Sequence, residues 1–400
     1  MKTTADYLII GAGIIGVTLA LELRRRCPTA RIVLVEKEDR VGWHASGRNS
    51  GVLHAGFYYT ADSLKARYCR DGNRALTEYC RERGLPINRC GKLVVARDGT
   101  ELAQLDELLR RGRANGVEVQ SISAQEARAI EPRARTCERA LWSPTTASVD
   151  PARVMESLAA DAERGGIRLL RSTAYLGRTA GGIRTTGGEI HAGYVINAAG
   201  LQADRLARDF GYARDHRVLP FKGLYLYSSE PPGALRTQIY PVPDLRNPFL
   251  GVHFTVTVDG HVKIGPTAIP AFWREHYQGM DRFRPGEFAE ILALQGRLML
   301  GSRFGFARLA LQEFPKYWRP RLVRLAAELV EGVRVDDYRR WGRPGLRAQL
   351  VNVRERRLAM DFLHEGDDRS FHVLNAVSPA FTCSIPFSRH LADEIERLRR

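Results

Sequence analysis

Tyr7-Leu-Ile-Ile-Gly-Ala-Gly-Ile-Ile-Gly16, continued by residues 17–26 and by Ile32-Val-Leu-Val-Glu36, is the stretch from which the fold of this chain is read. Residues 7–10 form an apolar run suited to a buried parallel strand. Gly11, Gly13 and Gly16 follow with G-x-G-x-x-G spacing, residues 17–26 supply a helix, and residues 32–35 a second buried strand. The first glycine permits a tight turn, the second lets backbone approach a pyrophosphate closely, and the third lets helix pack on strand. The helix start, at Ile14 and Ile15, presents free N–H groups and partial positive charge to phosphate. Glu36 stands where an acid accepts hydrogen bonds from the adenosine ribose. A strand before the glycines, a helix after them and the acid at this distance turn a weak motif into a dinucleotide site. Which dinucleotide is bound is left open by this stretch alone.

At 400 residues the chain is long enough for about two domains. Its six cysteines are scattered without a C-x-x-C pair, which favours reduced thiols in the cytoplasm over a disulfide framework or a zinc site. No cluster at ligand spacing indicates a metal. No apolar run reaches the length of a membrane span. The formal charge is +16, and residues 297–357 hold 15 Lys/Arg against 6 Asp/Glu. Such a stretch suits solvated helices or an anionic membrane surface. No nucleic-acid module accompanies it, so nucleic acid is not an expected partner.

Downstream, residues 40–51 form a polar, glycine-rich loop. Its Ser46, Arg48, Asn49, Ser50 and Gly51 suit a further contact with phosphate and ring. Helices are expected over 63–83, 100–115 and 123–130, and one opens at Asp150-Pro151. Residues 194–204 read as a buried strand breaking at small residues into a helix, which in an open α/β sheet places a ligand contact at the strand's carboxyl end. From His216 the texture turns β-rich, with a hairpin signal at Asp259-Gly260. Residues 287–331 read as helical with breaks near Gly301 and at Pro315 and Pro320, 346–353 and 371–375 as strands, and Ser378 as the N-cap of a final helix. No second G-x-G-x-x-G appears, so a separate nicotinamide domain is not indicated.

Gly11-Ala-Gly-Ile-Ile-Gly16, Ser46-Gly-Arg-Asn-Ser-Gly-Val-Leu-His-Ala-Gly-Phe-Tyr-Tyr59 and Asn197-Ala-Ala-Gly-Leu-Gln-Ala-Asp204 together resemble the D-amino-acid-oxidase-like flavoproteins. Within them the chain is most similar to the L-2-hydroxyglutarate oxidase/dehydrogenase group, through Ile239-Tyr-Pro-Val-Pro-Asp244, Pro248-Phe-Leu-Gly-Val-His-Phe-Thr255, Gly265-Pro-Thr-Ala268 and Gly345-Leu-Arg-Ala-Gln349. The resemblance runs nearly end to end. It implies a Rossmann-like α/β FAD-binding domain, at 1–87, 146–215 and 345–400. An interleaved α+β substrate domain on a largely antiparallel sheet would take 88–145 and 216–344.

It also implies non-covalent FAD. Lys37, Tyr175, Ala199, Gly200, Asp204 and Arg347 would join the residues above as cofactor contacts, with the helix start at Ser378, Ala380, Phe381 and Thr382 beside the flavin. The activity implied is oxidation of a short 2-hydroxy dicarboxylate, L-2-hydroxyglutarate to 2-oxoglutarate, with electrons passed to oxygen or a quinone. A peripheral position on the inner face of the membrane would go with the quinone.

That chemistry needs a base for the hydroxyl proton. His54 and His253, both in matching segments, are equal candidates. Arg347 offers a bidentate fork to one carboxylate, Lys222 a point charge to the other, and Tyr240 a hydrogen bond. Amides opening the final helix would stabilise charge on reduced flavin. The chain departs from the pattern at Lys222, Leu224 and Phe381. Two rival readings therefore stand beside the first: an oxidase of another 2-hydroxy acid or of an amino acid, and a basic flavin-binding membrane module without turnover.

Overall fold

A computed structural model describes residues 3–245 and 249–400. Pro248, quoted above, lies outside the described residues. The chain divides into two compact units, one made of Met1–Arg48, Pro151–Pro220 and Arg347–Arg400, the other of Asn49–Asp150 and Phe221–Leu346.

The first unit is built on a parallel core. Thr3–Ile10 lies between Ile32–Val35 and Gly188–Asn197, Arg168–Leu170 flanks the former, and Ser370–Asn375 pairs parallel with the latter. Antiparallel strands Tyr175–Arg178, Ile183–Thr185 and Leu363–Gly366 extend it. All four residues of Ile32–Val35 are buried, as a strand covered on both faces requires. Leu8, Ile10, Val33, Val35 and Leu206 share one core cluster. Each such side chain contributes about 1.5–3 kcal/mol by leaving water. The Ile14–Arg26 helix packs against the last helix, Ala380–Leu398, where the Thr18 and Ser388 hydroxyls meet at 2.7 Å.

In the second unit an eight-stranded sheet runs Arg340–Trp341, Leu226–Tyr227, Val262–Gly265, His253–Val256, Gln238–Pro241, Lys92–Val95, Arg139–Ser143, Gln120–Ser123. Its one parallel pair is Gln238–Pro241 with Lys92–Val95; every other pairing is antiparallel. Side chains alternate across a strand, so register decides what each face carries. Leu93 stands opposite Ile239, Ile239 opposite Phe254 and Phe254 opposite Ile264; these form one apolar core with Leu322, Val323 and Ala326 of the Arg319–Ala327 helix. The intervening residues Lys92, Gln238, Tyr240, His253, Thr255 and Lys263 share the opposite face, and all are buried.

Two features differ from the sequence reading. Residues 49–87 and 146–150 join the second unit, because Val52–Leu53 and Ile87–Asn88 both pair with Ala147–Val149 and the Leu64–Glu82 helix packs on those two strands; 345–346 also fall there, and 216–220 in the first unit. Strands of two residues have no alternation to read. Ser378 is exposed and is not the helix cap: the N-cap is Pro379, without a side-chain cap bond. Elsewhere Ser63 accepts from the Ala66 amide and Ser123–Glu126 forms a capping box, two caps the sequence reading did not assign. All six cysteines are free thiols.

Candidate functional site

In the first unit the glycine turn is a cradle that a methyl group would fill. Gly11 holds φ +107°, and a Cβ there would lie 2.5 Å from the Ala198 carbonyl oxygen; one on Gly16 would lie 1.9 Å from the Gly11 oxygen. Gly13 is the N-cap of the helix. The first intrahelical bond runs from Val17 N to Gly13 O, so the amides of Ile14, Ile15 and Gly16 have no intrahelical acceptor. Ile14 N donates to Ser46 Oγ at 2.9 Å, and Gly42 N donates to the Ala12 carbonyl at 3.0 Å. These two bonds clamp the polar loop onto the turn. The Ile15 and Gly16 amides are left at a helix start suited to an anion.

The buried Glu36 carboxylate accepts from Ala12 N at 2.9 Å and Glu38 N at 3.0 Å. Two accepted bonds leave the anchored carboxylate further lone pairs. Lys37 pairs with Glu38, which also bonds His44 Nε2 at 2.9 Å. Arg48 donates to the Trp43 carbonyl and lies 4.8 Å from the Trp43 ring, which Arg40 also flanks at 4.7 Å. Ala199 N donates to Asn197 Oδ1, and Gly200 takes φ +53°. Asp204 is fully buried and accepts from Arg208 and from Val218 N, so it anchors the strand that follows. Tyr175 donates its hydroxyl to Asp209 and packs against the sheet core. Nearby, the Thr173 amide donates to the Glu36 carbonyl at 2.7 Å and the Glu36 amide to the Leu170 carbonyl at 2.9 Å.

At the last helix the Ala380 amide bonds Val377 O and the first helical bond runs from Cys383 N to Pro379 O. Thr382 is buried and Phe381 partly exposed at the N-terminal end, where partial positive charge gathers. Arg347 is half-buried and donates through Nε to Gln349 Oε1 at 3.1 Å; that bond fixes the fork from one side.

The second unit begins with Asn49, whose Oδ1 takes the Gly51 amide at 2.8 Å, and Ser50, whose Oγ takes the Val52 amide. Gly51 holds φ +79° and accepts from Val149. This anchored turn leads into His54, whose backbone carbonyl is held by Cys69 Sγ at 3.3 Å and Asn73 Nδ2 at 3.4 Å. The His54 ring is buried, and burial first, then the charges of Lys92 and His253, hold it well below the ordinary histidine pKa.

His253 and Tyr240 come together on the buried polar face, their rings stacked at 3.7 Å and 18°. His253 Nδ1 lies 2.9 Å from the Gly251 carbonyl. A carbonyl only accepts, so Nδ1 carries the hydrogen and Nε2 is the basic nitrogen. Burial, with Lys92 and Lys263 adding, lowers the His253 pKa to about 3, although the Gly251 bond opposes the shift.

The sequence reading overlooked Lys92 and Tyr58. Lys92 is fully buried, its Nζ 4.4 Å from the Tyr240 ring, 5.0 Å from Tyr58 and 5.4 Å from Phe57. A lysine inside a strand with both faces covered was the available signal, since lysine is seldom buried. Lys222 belongs to a different group: it is buried, lies 6.0 Å from the Tyr317 ring and lowers the pKa of His276 by its charge. Burial brings the Lys222 pKa to about 8.

The model of the DAO family, FAD dependent oxidoreductase, matches residues 6–394. The chain is 35% identical to the human mitochondrial L-2-hydroxyglutarate dehydrogenase, covering 98% of this chain and 89% of that protein. It is 36% identical to the L-2-hydroxyglutarate dehydrogenase of Escherichia coli K12, covering 98% and 93%. Among solved structures, an L-α-glycerophosphate oxidase from Mycoplasma pneumoniae with FAD bound matches with TM-score 0.77 at 22% identity, over 100% of this chain and 95% of that one. A glycine oxidase from Geobacillus kaustophilus matches with TM-score 0.73 at 22% identity, over 99% and 95%.

Proposed function

The chain belongs to the DAO family of FAD-dependent oxidoreductases, its cofactor is FAD, and from that premise we propose that it oxidises L-2-hydroxyglutarate to 2-oxoglutarate. The near full-length likeness to dehydrogenases of that acid supports the substrate. Bound FAD would supply the two-electron acceptor for the C2 hydrogen. Gly11, Gly13, Ile15, Gly16 and Glu36 would hold its ADP half through amide donors and an anchored carboxylate.

The observation that carries the chemistry is the tautomer of His253. With Nδ1–H on the Gly251 carbonyl, Nε2 meets the substrate hydroxyl as a proton acceptor. Removing the hydroxyl proton as the hydride leaves balances the two-electron oxidation and yields the 2-oxo acid. A dicarboxylate beside the imidazolium offsets the neighbouring lysine charge, so proton affinity rises as substrate binds. His54, buried and also under the charge of Lys92, is the second candidate. Arg347 in the first unit and Lys222 in the second each offer a cation suited to a carboxylate. Anaerobic mixing of the FAD-loaded protein with L-2-hydroxyglutarate tests the reading. Bleaching of the flavin supports it, and a flavin that stays oxidised at millimolar substrate overturns it.

For the electron acceptor we infer a quinone reached at the inner face of an anionic membrane. No helix of the described residues is long and apolar enough to cross a membrane. Nine of the twelve exposed large hydrophobic residues described lie between 280 and 318, among them Leu300, Leu311 and Trp318. Arg297, Arg303, Arg308 and Arg321 are exposed in the same region. Apolar side chains interleaved with arginine suit an interfacial face on anionic lipid. Co-sedimentation with phosphatidylglycerol vesicles, lost in high salt and absent with phosphatidylcholine, would support it. Equal recovery from both vesicles overturns it.

A further inference from the structure

Lys92 is a buried cation enclosed by three aromatic rings, and the chemistry above does not use it. Its strand, Lys92–Val95, is covered on both faces, and Gln238 stands directly opposite it on the neighbouring strand. Nζ has no hydrogen-bond partner among the described residues. An ammonium taken out of water without a carboxylate or carbonyl is costly, and the faces of Tyr240, Tyr58 and Phe57, at 4.4, 5.0 and 5.4 Å, return only part of that cost. A merely structural position would be filled more stably by methionine. The Tyr240 ring that Lys92 touches is also the ring on which His253 stacks at 3.7 Å.

We propose that Lys92 is a positioning residue of the reaction: its caged ammonium fixes the Tyr240 ring and biases the stacked His253 imidazole toward its unprotonated form. The bias acts in acid, where the imidazole would otherwise take up a proton and lose its Nε2 lone pair; near neutrality burial already keeps it unprotonated. This inference rests on His253 being the base.

Other charges bear on the same pair. Lys263, on the strand beside His253, acts in the same sense as Lys92, and the charges of Lys92 and His253 add to burial in lowering the pKa of His54. Cys69 and Cys90 favour the charged form of Lys92, while burial outweighs them and brings its pKa to about 7. Lys92 therefore loses its proton near neutrality, and its hold on His253 is strongest below pH 7.

The test is histidine Cε1 NMR on the FAD-loaded full chain, with the His253 resonance identified by its loss in His253→Asn. In Lys92→Met the His253 midpoint is expected to rise by about one pH unit or more, the size of effect one nearby charge exerts. The acid limb of the flavin-reduction rate should move upward with it. Lys92→Arg, which keeps the charge, should keep the low midpoint. If Lys92→Met does not fold, Lys92→Gln serves the same comparison. A His253 midpoint unchanged in the neutral variant overturns the proposal, whatever happens to the rate. If His253→Asn reduces flavin at the wild-type rate, the base reading alone fails, and the midpoint still decides whether Lys92 positions His253.

Discussion

His253 and Tyr240 lie ring on ring, 3.7 Å apart and 18° from parallel, while His253 Nδ1 is tied to the Gly251 carbonyl at 2.9 Å. The stack and the hydrogen bond together leave the imidazole one orientation. A base held this way needs no rotamer search before the proton moves, which is how positioning contributes to rate.

The first prediction follows from that pair. His253→Asn removes the basic nitrogen and should lower the anaerobic flavin-reduction rate by about 10²–10⁴-fold, the usual contribution of a general base. Substrate KM should change much less, because carboxylate binding is assigned to other residues. Stopped-flow absorbance of the flavin band measures both. A rate within a few-fold of wild type would transfer the role to His54, and His54→Asn is the matching experiment.

Tyr240 separates ring from hydroxyl. If stacking is its contribution, Tyr240→Phe should retain near-wild-type flavin reduction, whereas Tyr240→Ala should lose both the stack and the enclosure of Lys92. Truncating a buried aromatic residue costs about 3–5 kcal/mol, so Tyr240→Ala should also melt well below wild type. A Tyr240→Phe variant as damaged as Tyr240→Ala would restore the role first expected from the sequence, a hydrogen bond donated by the hydroxyl.

The cofactor cradle makes a third prediction. Gly16→Ala puts a Cβ 1.9 Å from the Gly11 carbonyl oxygen, a backbone atom with no freedom to retreat. The helix must shift, and its N-terminal amides move off the phosphates. Purified Gly16→Ala should show a ratio of flavin to protein absorbance several-fold below wild type. Glu36→Gln, which keeps the shape but gives up the charge and one of two backbone acceptors, should weaken FAD by about tenfold, since about 1.4 kcal/mol is one decade. Quenching of FAD fluorescence measures that affinity.

How much of this was legible depends on distance along the chain. Gly11, Gly16 and Glu36 contact neighbours within one strand–turn–helix–strand unit, so their places in that turn are legible from spacing alone. The polar loop was also visible, but not that Ser46 caps Ile14 or that Gly42 bonds Ala12, which are contacts set by tertiary folding. Ser378 looked like a cap because serine before a helix usually is one; here Pro379 takes the position and Ser378 turns outward. Lys92 was passed over because its burial is made by Tyr58 and Tyr240, residues far away in sequence. The assignment of residues 49–87 shifted for the same reason, its two-residue strands being defined only by their partners.

The last prediction concerns pH and follows from a second buried lysine. Lys263 is buried, its Nζ 4.5 Å from the Tyr225 ring, and burial brings its pKa to about 8, with Asp259 and Asp150 opposing the shift. In the unfolded chain lysine titrates near 10.4. Between these values the unfolded state binds more protons than the folded one, so stability rises with pH across this window. Below pH 8 the folded protein bears the full cost of a charged Lys263. Lys263→Met should therefore raise the melting temperature at pH 7, and the gain should shrink steadily as pH approaches 10. Scanning calorimetry of the two proteins at pH 7, 8.5 and 10 checks this. A Lys263→Met difference that stays constant over the series would mean that Lys263 keeps an ordinary proton affinity in the fold.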